Sequence, residues 1–151
     1  MTTKSKSHAK KRAKTKAKSK PAMAAPISAA FLETHAALRK ILEPYTKKKG
    51  MKLAKDGSAG CVVLGPSHAK WPQYPDGLWF ASTRVGKGYV SYYFMPIYMC
   101  DELQRTISPA LKKRMQGKAC FNFRQPDAAL FRELSALTKA GYDRWKKDGL
   151  V

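Results

Sequence analysis

The residues best equipped for chemistry are cations. Lys4, Lys6, Lys10, Lys11, Arg12, Lys14, Lys16, Lys18 and Lys20 crowd the N-terminus, and no carboxylate appears before Glu33. Ammonium and guanidinium groups one to four residues apart on a Ser, Thr and Ala chain suit phosphate neutralisation. That binding is sequence-independent, driven by counterion release and strongly salt-dependent. Within the run we single out Lys10, Lys11, Arg12, Lys14, Lys16 and Lys18. A second basic cluster, Lys112, Lys113 and Arg114 with Lys118, reads either as further phosphate contacts or as charge that suits a helix C-terminus. The aromatic residues form a third group. Trp71 and Tyr74 sit in a proline-rich loop, and Trp79, Tyr89, Tyr92 and Tyr93 sit in a hairpin. Exposed, such rings stack on bases or a ligand; buried, they are core and cross-strand pairs, the reading preferred for the hairpin.

Enzyme chemistry finds little footing. The chain has no nucleophile elbow, no HExxH and no phosphate-cradling loop, since Gly86-Lys87-Gly88 is too short. Asp101 and Glu102 are adjacent and do not naturally face each other as an acid–base pair. His35 falls on the apolar stripe of a helix without evident partners. Three histidines far apart, and Cys61, Cys100 and Cys120 without a CxxC pair, suggest no metal site. The expectation is a non-enzymatic protein without cofactor, its thiols reduced in the core and its location cytoplasmic, or nucleoid-associated if the tail binds DNA.

The chain has 151 residues, 44% of them hydrophobic, with a formal net charge of +20 and a pI near 10.1. This suits one domain and polyanionic partners. The tail holds nine of the 30 basic residues, so 21 remain against 10 acidic ones and the body is itself basic. No apolar run reaches the length of a membrane span, and the N-terminus lacks the apolar region of a signal peptide. Residues 1–26 are expected to be disordered, because like charge and few bulky apolar groups cannot offset ordering entropy.

From Ile27 the pattern turns globular. Ile27, Phe31, Leu38, Ile41, Leu42 and Tyr45 recur at helical period after a Ser28 cap, with Pro44 placing the end near Glu43. Met51–Lys55 and Ala59–Leu64 flank a D-G turn and read as a hairpin. Gly65–Gly77 is a long loop holding His68, Trp71 and Tyr74, either a recognition surface or a cap on the core edge. Leu78–Tyr98 reads as the central hairpin, alternating Leu78, Phe80, Ser82 and Arg84 against Trp79, Ala81, Thr83 and Val85. Its turn is V-G-K-G, and Pro96 stops the pairing. A short helix from near Asp101, another from Ser108-Pro109 to Met115, a strand Ala119–Phe123 and a last helix, started by Asp127 or by Gln125-Pro126 and running to about Lys147, follow. The last helix should bury Leu130, Leu134, Leu137, Ala140 or Gly141, and Trp145.

The order adds up to an α+β fold. A mostly antiparallel sheet of about five strands is backed by N- and C-terminal helices over 27–151, after the basic tail 1–26. Two resemblances stand beside this. The Ala9-Lys10 and Thr15–Lys18 units resemble the Lys/Ala-rich tails of linker histones and bacterial histone-like proteins, which implies sequence-independent phosphate binding. Lys10–Lys14, KKRAK, also passes as a targeting patch, and a merely solubilising extension is the third reading. The run ISPALKKRMQGKACFNFRQPDAALFREL, Ile107–Leu134, resembles the YdhG-like bacterial domain of unknown function, some of whose members are described as frataxin-like iron chaperones. It implies a cytoplasmic α+β domain and carries over no binding residue, because the ten carboxylates here are scattered on a basic body. The expected function is nucleic-acid binding through the polycation. The alternative is a small-ligand or metal-binding module at the Trp71–Tyr74 loop, with a concave apolar pocket as its sign.

Overall fold

The computed structural model describes residues 27–151, so the tail and its Lys10, Lys11, Arg12, Lys14, Lys16 and Lys18 lie outside the described residues. Helix α1 (Ala29–Thr46) opens on Ser28, whose hydroxyl accepts a hydrogen bond from the Phe31 N–H at 3.2 Å. His35, Leu38, Ile41, Leu42 and Tyr45 are buried along one face, whereas Ile27, before the helix, stays exposed. The helix outruns Pro44 by two residues. Proline there forfeits only a bond to the carbonyl of exposed Lys40, while the buried Tyr45 ring holds the last turn against the core.

Six strands form one sheet: β1 (Lys52–Gly57), β2 (Gly60–Leu64), β3 (Trp79–Val85), β4 (Val90–Phe94), β5 (Met115–Gln116) and β6 (Cys120–Phe123). Their order is β1-β2-β3-β4-β6-β5 and every pairing is antiparallel. The strand beyond the expected five is the two-residue β5. The helix expected to reach Met115, α4 (Pro109–Lys112), stops earlier, and Gly117 at φ 71° turns a hairpin back into β6 instead of ending a helix. The central hairpin connection is also displaced by one residue from V-G-K-G. Residues 86–89 form the loop, closed by the Gly86 N–H donating to the Tyr89 carbonyl at 2.9 Å, and neither Gly86 nor Gly88 has positive φ.

Strict alternation fails on β3. Val63 pairs with Ala81 but Leu64 pairs with Trp79, so a bulge accommodates Phe80 as an extra residue. Phe80 turns under the helices against Tyr45, Phe94 and Trp145, and Thr83 lies on that same side against His35. Trp79 falls on the side of Tyr93, the cross-strand partner of Ser82. The expected grouping of Phe80 with Ser82, and of Trp79 with Thr83, is therefore reversed by one inserted residue.

After β4 the chain makes α2 (Met95–Met99) with Pro96 in its first turn, α3 (Asp101–Arg105) and α4 before reaching β5. Ser108 caps α4, and Glu133 of the last helix clamps that cap, accepting from the Ser108 N–H at 2.8 Å and from its hydroxyl at 2.7 Å. The final helix, α5 (Ala128–Lys147), is capped by Asp127 and buries Leu130, Leu134, Leu137, Gly141 and Trp145; Ala140 is exposed. A Cβ on Gly141 would stand 2.8 Å from Pro96 Cβ and 2.9 Å from Phe94 Cε1, so glycine lets α5 lie directly on that corner. Both long helices cover the same face of the sheet. The architecture is α+β in two layers, with the core between them.

Candidate functional site

The covered side holds the fold's buried polar groups other than Ser82, which lies on the opposite face. His35 Nε2 lies 2.9 Å from Thr83 Oγ1, and the Tyr92 hydroxyl lies 2.7 Å from Thr138 Oγ1. Burial lowers the His35 pKa below 6.5, with the nearby Arg39 cation adding to it, so the imidazole is held neutral. Burial likewise raises the phenol of Tyr92 and the thiol of Cys61. A histidine beside a hydroxyl is the beginning of a nucleophile–base pair. Here, however, Thr83 is 2% exposed and His35 4%, so the pair holds α1 to β3 rather than facing a substrate. His35 also lines a shallow depression of about 420 Å³ without Thr83, and its other walls include Arg39 and Asp56, which neutralise each other in a two-pronged ion pair.

The opposite face has another character. Antiparallel pairing carries one row of side chains straight across it: Lys55, Val62, Ser82, Tyr93 and Cys120. The next row holds Arg84, Ser91 and Asn122, with the Ser91 hydroxyl donating to Asn122 Oδ1 at 2.9 Å. Trp79 stands edge-to-face with Tyr93, the ring centroids 6.2 Å apart and the planes at 86°, and is 42% exposed. Neither long helix reaches this side. An antiparallel sheet tolerates one wet face, but not usually one paved with tryptophan and tyrosine.

The Gly65–Gly77 loop borders this face and divides its own aromatics. Trp71 packs partly buried on the core beside His68, the ring centroids 5.3 Å apart. Tyr74 stays 47% exposed, and with Trp79 it walls a cleft of about 320 Å³ floored by Val62 and Leu64. Lys55, Gln73 and Asp76 stand at its margin. The loop is pinned by paired backbone bonds, Gly65 N–H to the Leu78 carbonyl at 2.7 Å and Leu78 N–H to the Pro66 carbonyl at 3.1 Å. Gly77 is required there, for at φ 129° any Cβ would run into the Gly65 carbonyl oxygen. The two residues named from sequence thus part company: Tyr74 lines the cleft and Trp71 does not.

The Lys112, Lys113 and Arg114 cluster is exposed but also divided. Lys112 borders a depression with Asp101 and Arg105, while Lys113 and Arg114 border another, of about 500 Å³, with Asp127. Sequence reading overlooked Lys52, Lys55 and Arg84: it grouped Arg84 with Phe80, and only the irregularity between Leu53 and Lys55 and the β3 bulge bring the three cations to the uncovered face. Among the described residues the ion pairs engage Arg39, Lys139 and Arg144, and none involves Lys52, Lys55 or Arg84. Six of the ten carboxylates are occupied elsewhere, Asp127 and Glu133 at helix starts and Asp56, Glu102, Asp143 and Asp148 in ion pairs, while Asp76 stands at the cleft margin with Lys55. Among the described residues no three His, Cys, Asp or Glu side chains gather as a metal-ligand set, and no helix is long and apolar enough to cross a membrane. Cys61, Cys100 and Cys120 are free thiols; Cys120 is only half-buried, because it lies in the row facing away from the helices. No protein-family model, curated protein or solved structure matches the chain.

Proposed function

We propose that this chain binds nucleic acid without sequence specificity, using the basic tail for reach and the basic body for purchase. One observation carries the reading. The body's cations outnumber its carboxylates, and those carboxylates are largely committed to helix caps and ion pairs, which leaves surface ammonium and guanidinium groups free for an external polyanion. Lys10, Lys11, Arg12, Lys14, Lys16 and Lys18 are the first contacts, with Lys112, Lys113 and Arg114 of second rank.

The test is anisotropy of a labelled duplex titrated with the full chain and with a chain beginning at Ala25, each at two salt concentrations. The full chain should bind with a log–log salt slope of about 0.9 per phosphate neutralised, and the shortened chain should lose most of the affinity. Equal binding by both moves the contacts to the body, and no binding by either at low salt ends the reading. A second reading, a small-ligand module in keeping with the YdhG-like resemblance, draws on the apolar cleft between Tyr74 and Trp79. Its sign would be a flat aromatic ligand that protects the chain from thermal unfolding while the duplex does not.

A further inference from the structure

A polycation needs no aromatic rings to hold a phosphate backbone, yet the uncovered face of the sheet displays them among unpaired cations. Trp79 and Tyr74 wall the cleft and Tyr93 stands beside it. Lys55 shares a cross-strand row with Tyr93, and Arg84 lies on β3 with Trp79. We infer that this face binds single-stranded nucleic acid, its unpaired bases stacking on Trp79, Tyr93 and Tyr74 and its phosphates meeting Lys55, Arg84 and Lys52. The inference rests on the polyanion reading above and names the class of polyanion.

Three arguments select that occupant. Stacking needs a free ring face, and in a perpendicular pair such as Trp79 and Tyr93 the ring that presents its edge keeps both faces clear of its partner. Every base has a π-face to offer, but in a duplex those faces are already stacked, so only unpaired strands can use the platform. Charge disfavours the obvious competitor, with Asp76 the one carboxylate at the cleft against three cations on the face. A second copy of the same face would bring Lys52, Lys55 and Arg84 against themselves, whereas a strand of phosphates complements them. From Lys55 on β1 to Tyr93 on β4 the row spans three strand intervals, about 14 Å, which separates backbone contacts from stacking contacts along one bound strand.

The experiment compares the full chain with full-length Trp79→Ala, Trp79→Phe and Arg84→Gln, using a labelled oligothymidine and a duplex of equal length at near-physiological salt. Trp79→Ala should weaken single-strand binding roughly 5- to 150-fold, the range of one stacked base, and leave duplex binding and the salt slope unchanged. Trp79→Phe should restore much of the loss, and Arg84→Gln should lower the salt slope by nearly one phosphate. Cooperative melting of every variant, with Trp79→Ala lowered by only about 3–8 °C, shows that the fold is intact. If single strand and duplex bind equally and Trp79→Ala alters neither, the stacking site is overturned while the polyanion reading survives. Failure to bind either nucleic acid removes both. If light scattering instead gives a dimer that Trp79→Ala dissolves, the face is a self-association surface and the inference falls.

Discussion

Trp79 and Phe80 are neighbours in the chain with opposite company. Phe80 has no exposed surface and meets the rings of Tyr45, Phe94, Tyr142 and Trp145, all at centroid distances of 6.2 Å or less; Trp79 is 42% exposed and, among the described aromatic rings, pairs with Tyr93 alone. The same division runs along β4, where Tyr92 is sealed against Thr138 and Tyr93 is only half-buried. Ring count alone therefore says nothing about role. The rings under α1 and α5 bind the fold together, and those on the far side have solvent where a second layer would be.

The comparison breaks first, and by the widest margin, if the two neighbours cost the same when truncated. Phe80→Ala should lower unfolding free energy by about 3–5 kcal/mol in urea titrations, since it empties a packed site. Trp79→Ala should cost about 1 kcal/mol, the worth of one aromatic pair. Next comes Gly141→Ala on the covered side. The new methyl must displace the Phe94 ring or Pro96, and the expected loss is about 1–3 kcal/mol despite alanine's better helix propensity. An equal change at exposed Ala140, to serine, should be nearly silent.

A smaller effect sharpens the contrast through pH. His35 is held neutral by burial, so its folded-state pKa lies below 6.5 and protonation favours the unfolded chain. Its contribution is whole above that value and is lost as pH falls through 6.5 and on toward the folded pKa. Stability measured from pH 8 down to 5 should decline, and His35→Gln should flatten the slope. Smallest of all is a difference in labelling rate. A thiol reagent should modify half-buried Cys120 in the native protein, and Cys61, 1% exposed, only as the chain unfolds. Equal rates would mean that the helix layer opens readily.

Much of the frame was legible because its signals are local. Ser28, Ser108-Pro109 and Asp127 announce helix starts through their own side chains, and the D-G pair announces the first hairpin but not its turn, since Asp56 and Gly57 are paired in β1 and the chain reverses at Ser58-Ala59. The α5 stripe from Leu130 to Trp145 follows from period alone. The remainder depended on distant partners. Nothing near Phe80 marks a bulge, which arises from how Val63 and Leu64 meet β3. Nothing near Met115 says that Phe121 waits to pair with it, so a helix that was already starting read as continuing. Trp71 and Tyr74 share a loop and a residue class, and only the core beneath Trp71 separates them. The preference for core at the hairpin held for Tyr92 and failed for Trp79, because the sidedness of a strand cannot be counted across an unseen extra residue.

That extra residue in β3 has a consequence for how the protein can change over generations. Substitution at Trp79 leaves the core alone, and substitution at Phe80 leaves the wet face alone, so either property can drift independently. A gain or loss of one residue at this point is different in kind. It would swing Trp79 inward or Phe80 outward and exchange the two properties at once. Length variation should therefore gather in the Gly65–Gly77 loop just upstream, while β3 itself keeps its count.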